Sequence, residues 1–219
     1  MKLNNKRTIL VGLAFLSICA FWQMYDSIVP LILTKTFHMN ETFSGAIMAA
    51  DNILALFLLP FFGSVSDKSH SKLGKRMPFI LFGTGCAIIL MNILPLLDNS
   101  YAAQPSGFKT ASFVIVLGLL LVAMGTYRAP AVALMPDVTP KPLRSRANAI
   151  INLMGAVGGI LYLGVAAVLY PNSKTAGLDH VNYQPLFIVV SAIMFVAVAV
   201  LFLTIREPKL TAENQALEK

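Results

Sequence analysis

The 219-residue chain is 57% apolar and 12% charged, with a mean hydropathy of +0.73, whereas an ordinary soluble domain is about half apolar and a quarter charged. This excludes a soluble globular protein and identifies an integral membrane protein. The net charge of +7 then reflects loop topology and contact with anionic lipid, so no nucleic-acid partner is implied.

Six apolar segments, 8–33, 42–62, 78–97, 110–135, 147–170 and 185–205, are each long enough to cross about 30 Å of hydrocarbon as a helix. An all-α membrane protein with six transmembrane helices is expected, between a short N-terminus at 1–7 and a polar tail at 206–219. The first segment follows Lys6 and Arg7 as a signal peptide would. Its apolar run outlasts an h-region of about 7–15 residues and carries no A-x-A site, so it is expected to remain as helix 1. LSIC at 16–19 fails as a lipoprotein site because Ile18 stands where a small residue is needed.

On helix 1, Gln23, Asp26, Ser27 and Pro30 recur at i, i+3, i+4 and i+7, which places them in one polar stripe. Trp22 and Tyr25 flank it. An amide, a carboxylate and a hydroxyl beside aromatic faces suit a polyhydroxylated ligand. The same stripe could instead be interhelical glue, with the aromatics packing.

Helix 2 carries Asp51, and helix 4 carries Arg128 in the stretch LVAMGTYRAPAVALMPDV. With Asp26, these are the ionisable groups left in the hydrocarbon, where a charge costs at least about 2.5–3.5 kcal/mol and therefore pairs or faces a wet cavity. Asp26 and Asp51 fall roughly 10–15 Å below the outer face, and Arg128 deeper, at about 1.5 Å of rise per residue. A carboxylate in a low-dielectric site tends to keep a proton, so alternating exposure would couple solute movement to a proton gradient. Asp51 could equally cap or pair near the outer interface.

Weaker signals complete the chain. Gly155 and Gly159 form a G-x-x-x-G on helix 5, aligned with Asn148 and Asn152, which suits close packing, with Asn152 a candidate for the cavity face. Cys19 and Cys86 lie in apolar runs and imply packing, not a disulfide. His38, His70 and His180 sit in separate loops and offer no metal set. NET at 40–42 is a glycosylation sequon that abuts the membrane. Neither HExxH nor G-x-S-x-G occurs, so neither an enzyme nor a catalytic set is expected, and no cofactor is implied.

Basic residues fix the expected orientation. Residues 1–7 hold three, the 63–77 loop four, the 136–146 loop three and the tail three, whereas the opposite loops hold only Lys35, Lys109 and Lys174. Both termini are expected in the cytoplasm of a cell, most simply a bacterial one.

The loop GSVSDKSHSKLGKRMPF, 63–79, places Gly63, Asp67, Gly74, Lys75, Arg76 and Pro78 in the pattern G-x-x-x-D-x-x-x-x-x-x-G-R/K-R/K-x-P. It resembles the signature loop of the major facilitator superfamily. A P-loop is excluded, since Asp67 stands where a glycine is required. The second stretch, YRAPAVALMPDVTPKPLRSRANAIINLMG at 127–155, is similar to the sucrose and related disaccharide proton symporters that border the glycoside-pentoside-hexuronide:cation symporter group. The resemblance extends to the IREPK exit from helix 6.

That resemblance implies a secondary active transporter for a glycoside such as sucrose, maltose or a related oligosaccharide, driven by H⁺ through alternating access. Arg128 matches a helix 4 arginine tied to substrate and proton coupling, and Asp137 and Arg144 match the cytoplasmic gate motif, which latches a conformation together with the signature loop. Sodium-coupled melibiose carriers place paired aspartates where this chain has Leu59 and Ala55, which favours protons, since a hard cation needs oxygen ligands. A complete transporter of the superfamily has two six-helix halves, each an inverted pair of three-helix repeats. This chain resembles the N-terminal half, with helices 1 and 4 in equivalent positions and Asp26 the expected partner of Arg128. A second six-helix half is then an expected partner, and the chain would be a fragment, one part of a split transporter or a protomer of a homodimer, with the linker-like tail favouring the first. The alternative is a non-transporting membrane subunit that binds another carrier.

Overall fold

A computed structural model describes residues 3–217, apart from the side chains of Asn172, Lys174 and Leu217. Lys2 and Lys219, counted above among the basic residues of the termini, lie outside the described residues, as does the side chain of Lys174. The chain forms α1 (Asn5–Leu31), extended by a π-helical turn (Ile32–Thr36), then α2 (Glu41–Asp67), α3 (Met77–Ala103), α4 (Gly107–Val138), α5 (Arg144–Leu169), α6 (Gln184–Thr204) and α7 (Glu207–Leu217). The first six are each long and apolar enough to cross a membrane. In hydrocarbon only internally hydrogen-bonded helices or closed barrels satisfy the backbone, and an uninterrupted apolar run selects the helix.

Helix α1 packs on α5 and α6 while α4 packs on α2 and α3, and α3 meets α6. Exchanging α1 with α4, α2 with α5 and α3 with α6 leaves this list unchanged, as expected of two three-helix repeats. The core lies where α1 and α4 cross: Phe21, Met24, Tyr25, Met124 and Tyr127 are buried there, and the Tyr127 hydroxyl bonds both the Ser17 hydroxyl and the Ala14 carbonyl. By contrast α2 and α5 leave rows of large apolar side chains uncovered, including Leu56, Phe57, Ile160 and Val168. Such a surface suits lipid or a protein partner, not water.

Two features differ from expectation. Helix α1 runs past 33 because Pro30, which lacks an N–H, loosens the helical ladder and the turn widens into the π-helix before Phe37. The tail from Glu207 is helical, in keeping with its polar, helix-prone composition, and docks on α4. On α5, Gly158 and Gly155 meet α1: a Cβ on Gly158 would overlap the Leu16 carbonyl, one on Gly155 would press on Cys19, and one on Gly159 would only approach Gln23. The contact spacing is therefore i, i+3 in place of the expected i, i+4.

Gly158→Ala should lower the thermal midpoint of the purified chain through about 1–3 kcal/mol of overpacking. Gly164→Ala, where a Cβ meets nothing, should hold or raise it. Fluorescence-detected melting in lipid nanodiscs reads both, and equal midpoints would remove the close α1–α5 crossing.

Candidate functional site

The polar stripe of helix 1 follows its less buried face: Asp26 is exposed and Gln23, Ser27 and Pro30 are partly so. Trp22 is half-buried, edge-on to Phe21 at 5.3 Å and to Tyr25 at 5.3 Å. Tyr25 itself is fully buried, stacked with Phe21, so its ring belongs to the core and not to the open face on which the sequence pattern placed it. Asn152 is exposed on α5.

Arg128 projects from α4 to place its Cζ 5.6 Å from the centroid of the Trp22 ring, within cation–π range. A small crevice between α1, α2 and α4 is lined by Trp22, Asp51, Leu54, Leu58, Gly125 and Arg128, among others. The expected Asp26–Arg128 pair is not formed; among the described residues Arg128 has no carboxylate within ion-pair distance. The Ser17–Tyr127 bond sets the register: Arg128 lies level with the middle of α1, and Asp26 lies one turn beyond Trp22, about 6 Å further along the axis. Asp51 is the carboxylate that shares the crevice, and it lies well inside α2, not at its cap. That position is taken by Asn40, whose side chain accepts from Thr42 N. Trp22 Nε1 and Asp51 Oδ1 are buried without a hydrogen-bond partner, so both polar atoms have capacity to bind.

The signature-loop residues converge at the end that holds the described N- and C-terminal segments. Arg76 is buried; its Nε donates to Asp137 Oδ2 at 2.8 Å, and its Nη atoms donate to Asp67, the Ser66 hydroxyl and the Gly63 carbonyl. Burial works against this guanidinium, but the Asp137 and Asp67 carboxylates outweigh it and hold the group above the ordinary arginine value. Arg144 donates to the Pro136 and Thr139 carbonyls at the end of α4. Arg7 donates to the Val138 carbonyl and Asn214 to those of Asp137 and Thr139. Three side chains therefore satisfy carbonyls that the helix end leaves open.

Sequence reasoning missed Glu207. Its buried carboxylate accepts from the backbone N–H groups of Lys75 (2.7 Å), Arg76 (2.9 Å) and Met77 (2.8 Å). These are orphan donors at the positive end of α3. Gly74 makes room: its φ is 112°, and a Cβ there would strike the carboxylate. The partners are main-chain atoms 130 or more residues away, so no residue pattern announces the cap beyond an acid directly after an apolar helix.

A family model described as Major Facilitator Superfamily matches residues 11–219. The chain is 35% identical over 158 residues to the sucrose transport protein SUC3 of Arabidopsis thaliana, covering 67% of this chain and 26% of that protein. It is 36% identical over 154 residues to the sucrose transport protein SUT3 of Oryza sativa subsp. indica, covering 64% and 30%. Against solute carrier family 45 member 3 of Homo sapiens the identity is 25% over 186 residues, covering 83% and 34%. The chain spans about a third or less of the length of these relatives.

Glu207→Ala strands three N–H donors at the buried start of α3, and should cost about 1–3 kcal/mol of stability for the loss of a charged acceptor. Glu207→Gln, which keeps one acceptor oxygen, should cost less. The order Ala below Gln below wild type in thermal midpoint checks this; an unchanged Ala variant would show that water replaces the cap.

Proposed function

The chain belongs to the major facilitator superfamily, and from that premise we propose that it is the N-terminal half of a proton-coupled glycoside symporter. Sucrose, maltose or a related oligosaccharide is the solute, and a second six-helix half closes the site. The observation that carries this reading is the Arg128–Trp22–Asp51 crevice between α1, α2 and α4. An arginine fork and a carboxylate can bind sugar hydroxyls, and an indole offers an apolar face to the ring C–H groups. The sucrose transport proteins among its relatives support the substrate class.

Asp26 on α1 and Asp51 on α2 are the carboxylates set within the apolar runs, where a carboxylate tends to keep a proton, and together they are the proposed coupling site. Loading from one side, followed by rocking of the two halves, would carry sugar and proton together. The uncovered faces of α2 and α5 are where the second half would seat, whether it is a continuation of the chain, a separate chain or a second copy. Lys68, Lys72 and Lys75 after α2, Lys141 before α5 and Arg146 in the first turn of α5 lie at the Arg76 end, and by the positive-inside rule that end faces the cytoplasm. Asp67, Arg76, Asp137 and Glu207 then act as a cytoplasmic latch.

Uptake of labelled sucrose and maltose into proteoliposomes under an imposed pH gradient tests the reading, with the chain alone and with a second half supplied. Arg128→Lys keeps the charge but loses the planar fork, and should lower uptake about tenfold to hundredfold, the worth of charge-assisted hydrogen bonds. Undiminished uptake in that variant would remove Arg128 from the site. Absence of glycoside movement with any second half would end the transport reading in favour of a non-transporting subunit.

A further inference from the structure

Asp98 is a buried ionisable group that belongs neither to the central crevice nor to the Arg76 cluster. It lies near the far end of α3, fully buried, and neither carboxylate oxygen has a hydrogen-bond partner of normal geometry. The nearest cationic candidate is His180, in the 170–183 connection between α5 and α6, with Nδ1 3.9 Å from Asp98 Oδ1. Thr36, the last residue of the π turn, places its hydroxyl 3.2 Å from the same Nδ1. Three separate parts of the chain therefore meet at one imidazole.

The surrounding bonds determine which imidazole nitrogen carries hydrogen. Asn182 Oδ1 accepts from the Gln184 N–H at the start of α6, so that atom is the oxygen. Asn99 therefore donates to it through Nδ2 at 2.9 Å, and turns its own Oδ1 toward His180 Nε2, also at 2.9 Å. Nε2 must carry hydrogen to make that bond. In a neutral ring Nδ1 is then only an acceptor, served by Thr36. At 3.9 Å Nδ1 and Asp98 Oδ1 stand at ion-pair and not hydrogen-bond distance, so their contact is favourable only when a proton charges the ring or neutralises the carboxylate. Either way the contact needs one proton shared between the two groups.

We propose that Asp98 and His180 form a second proton-binding site that fastens the 170–183 connection onto the ends of α1 and α3. Loss of the shared proton leaves a carboxylate in a fully buried position with only the Thr36 hydroxyl beside it to answer the charge. The connection then lifts to admit water. The closed form holds one proton more than the open form, so rising pH opens the latch. Other titratable or charged groups among the described residues are few here. Lys35 and Asp179 are exposed, on the α1 extension and in the same connection, and Tyr101 lies one turn along α3. Burial first, then the Asp98 charge, push the Tyr183 phenol up, and burial does the same to Tyr170, so both stay neutral. The Tyr170 hydroxyl donates to the Asn182 carbonyl and braces the connection without titrating.

The site is independent of which solute is moved, and its test does not measure transport. Hydrogen exchange of the chain in lipid nanodiscs, corrected for the intrinsic rate, is followed between about pH 5.5 and 8.5. Amides 178–183 should lose protection about tenfold per pH unit in the upper part of that window, the slope for release of one proton. Amides of α4 around Tyr127 should not change, which separates latch opening from unfolding. Asp98→Asn, whose neutral amide can donate to Nδ1, and His180→Gln should each abolish the slope. A flat wild-type profile overturns the proposal, and so does a slope that persists in a folded Asp98→Asn variant. If neither variant folds, the wild-type slope decides.

Discussion

The buried Arg76 guanidinium is the interaction on which one whole end of this bundle depends. A cation with so little access to water is tolerated only where its donors and its charge are both answered. Asp67 from the end of α2 and Asp137 from the end of α4 supply charge, and Ser66 and Gly63 supply acceptors. Glu207 takes the Arg76 N–H on the other side of the same residue. Four helix ends are thereby brought to one residue, with electrostatic bonds that can be exchanged for others as a group. Apolar packing along the helices offers no such exchange, because lipid tails compete equally for leucine and valine faces. The bundle therefore places its strong interactions at the ends of the helices, where they can be broken without dissolving the core.

Helix α1 connects three otherwise distant places. Its start is tied to the end of α4 through Arg7 and Val138. Its middle carries Trp22 against Arg128, and its far end carries Thr36 to His180. Between the last two stand Pro30 and the π turn. A proline and a widened turn weaken the local ladder, so the segment beyond Pro30 can move with the α5–α6 connection while the segment before it stays packed on Gly158. Helix α1 thus gives the bundle a firmly packed part before Pro30 and a looser one beyond it, and the central crevice lies on the packed side of that division.

The elements most legible in the sequence are those governed by local rules. Six apolar runs, the signature loop and the helical stripe at 23, 26, 27 and 30 all depend on residues close in the chain, and the structure keeps each in place, with Gly63 to Asp67 absorbed into the end of α2. Placement across helices was not legible. Tyr25 and Asp26 are neighbours in sequence, yet rotation of the helix buries one completely and exposes the other. The Asp26–Arg128 pairing failed because register between α1 and α4 is set by Tyr127 reaching Ala14 and Ser17, a bond that no single-helix pattern contains. Asp98 was missed for a different reason: apolarity declines after Leu97, so the third segment ended one residue short of a carboxylate that the folded chain buries.

That last omission shows how burial and hydropathy part company at helix ends. A hydropathy window responds to the composition of its own segment, whereas burial at a helix terminus is imposed by whatever connection folds over it. Here the cover is the 170–183 connection, held down by Asn99, Asn182 and His180. All three read as ordinary loop or helix-end residues. Polar residues at such a place bury a charge by bonding to one another across it, with no apolar run to mark the site. The same logic covers Glu207, an acid in a polar tail that becomes buried because α3 begins where the tail folds back. In a membrane protein the ionisable groups inside the apolar runs are the first candidates for function. The groups just outside those runs tie the ends of the helices, and their partners are settled by the loops that close over them.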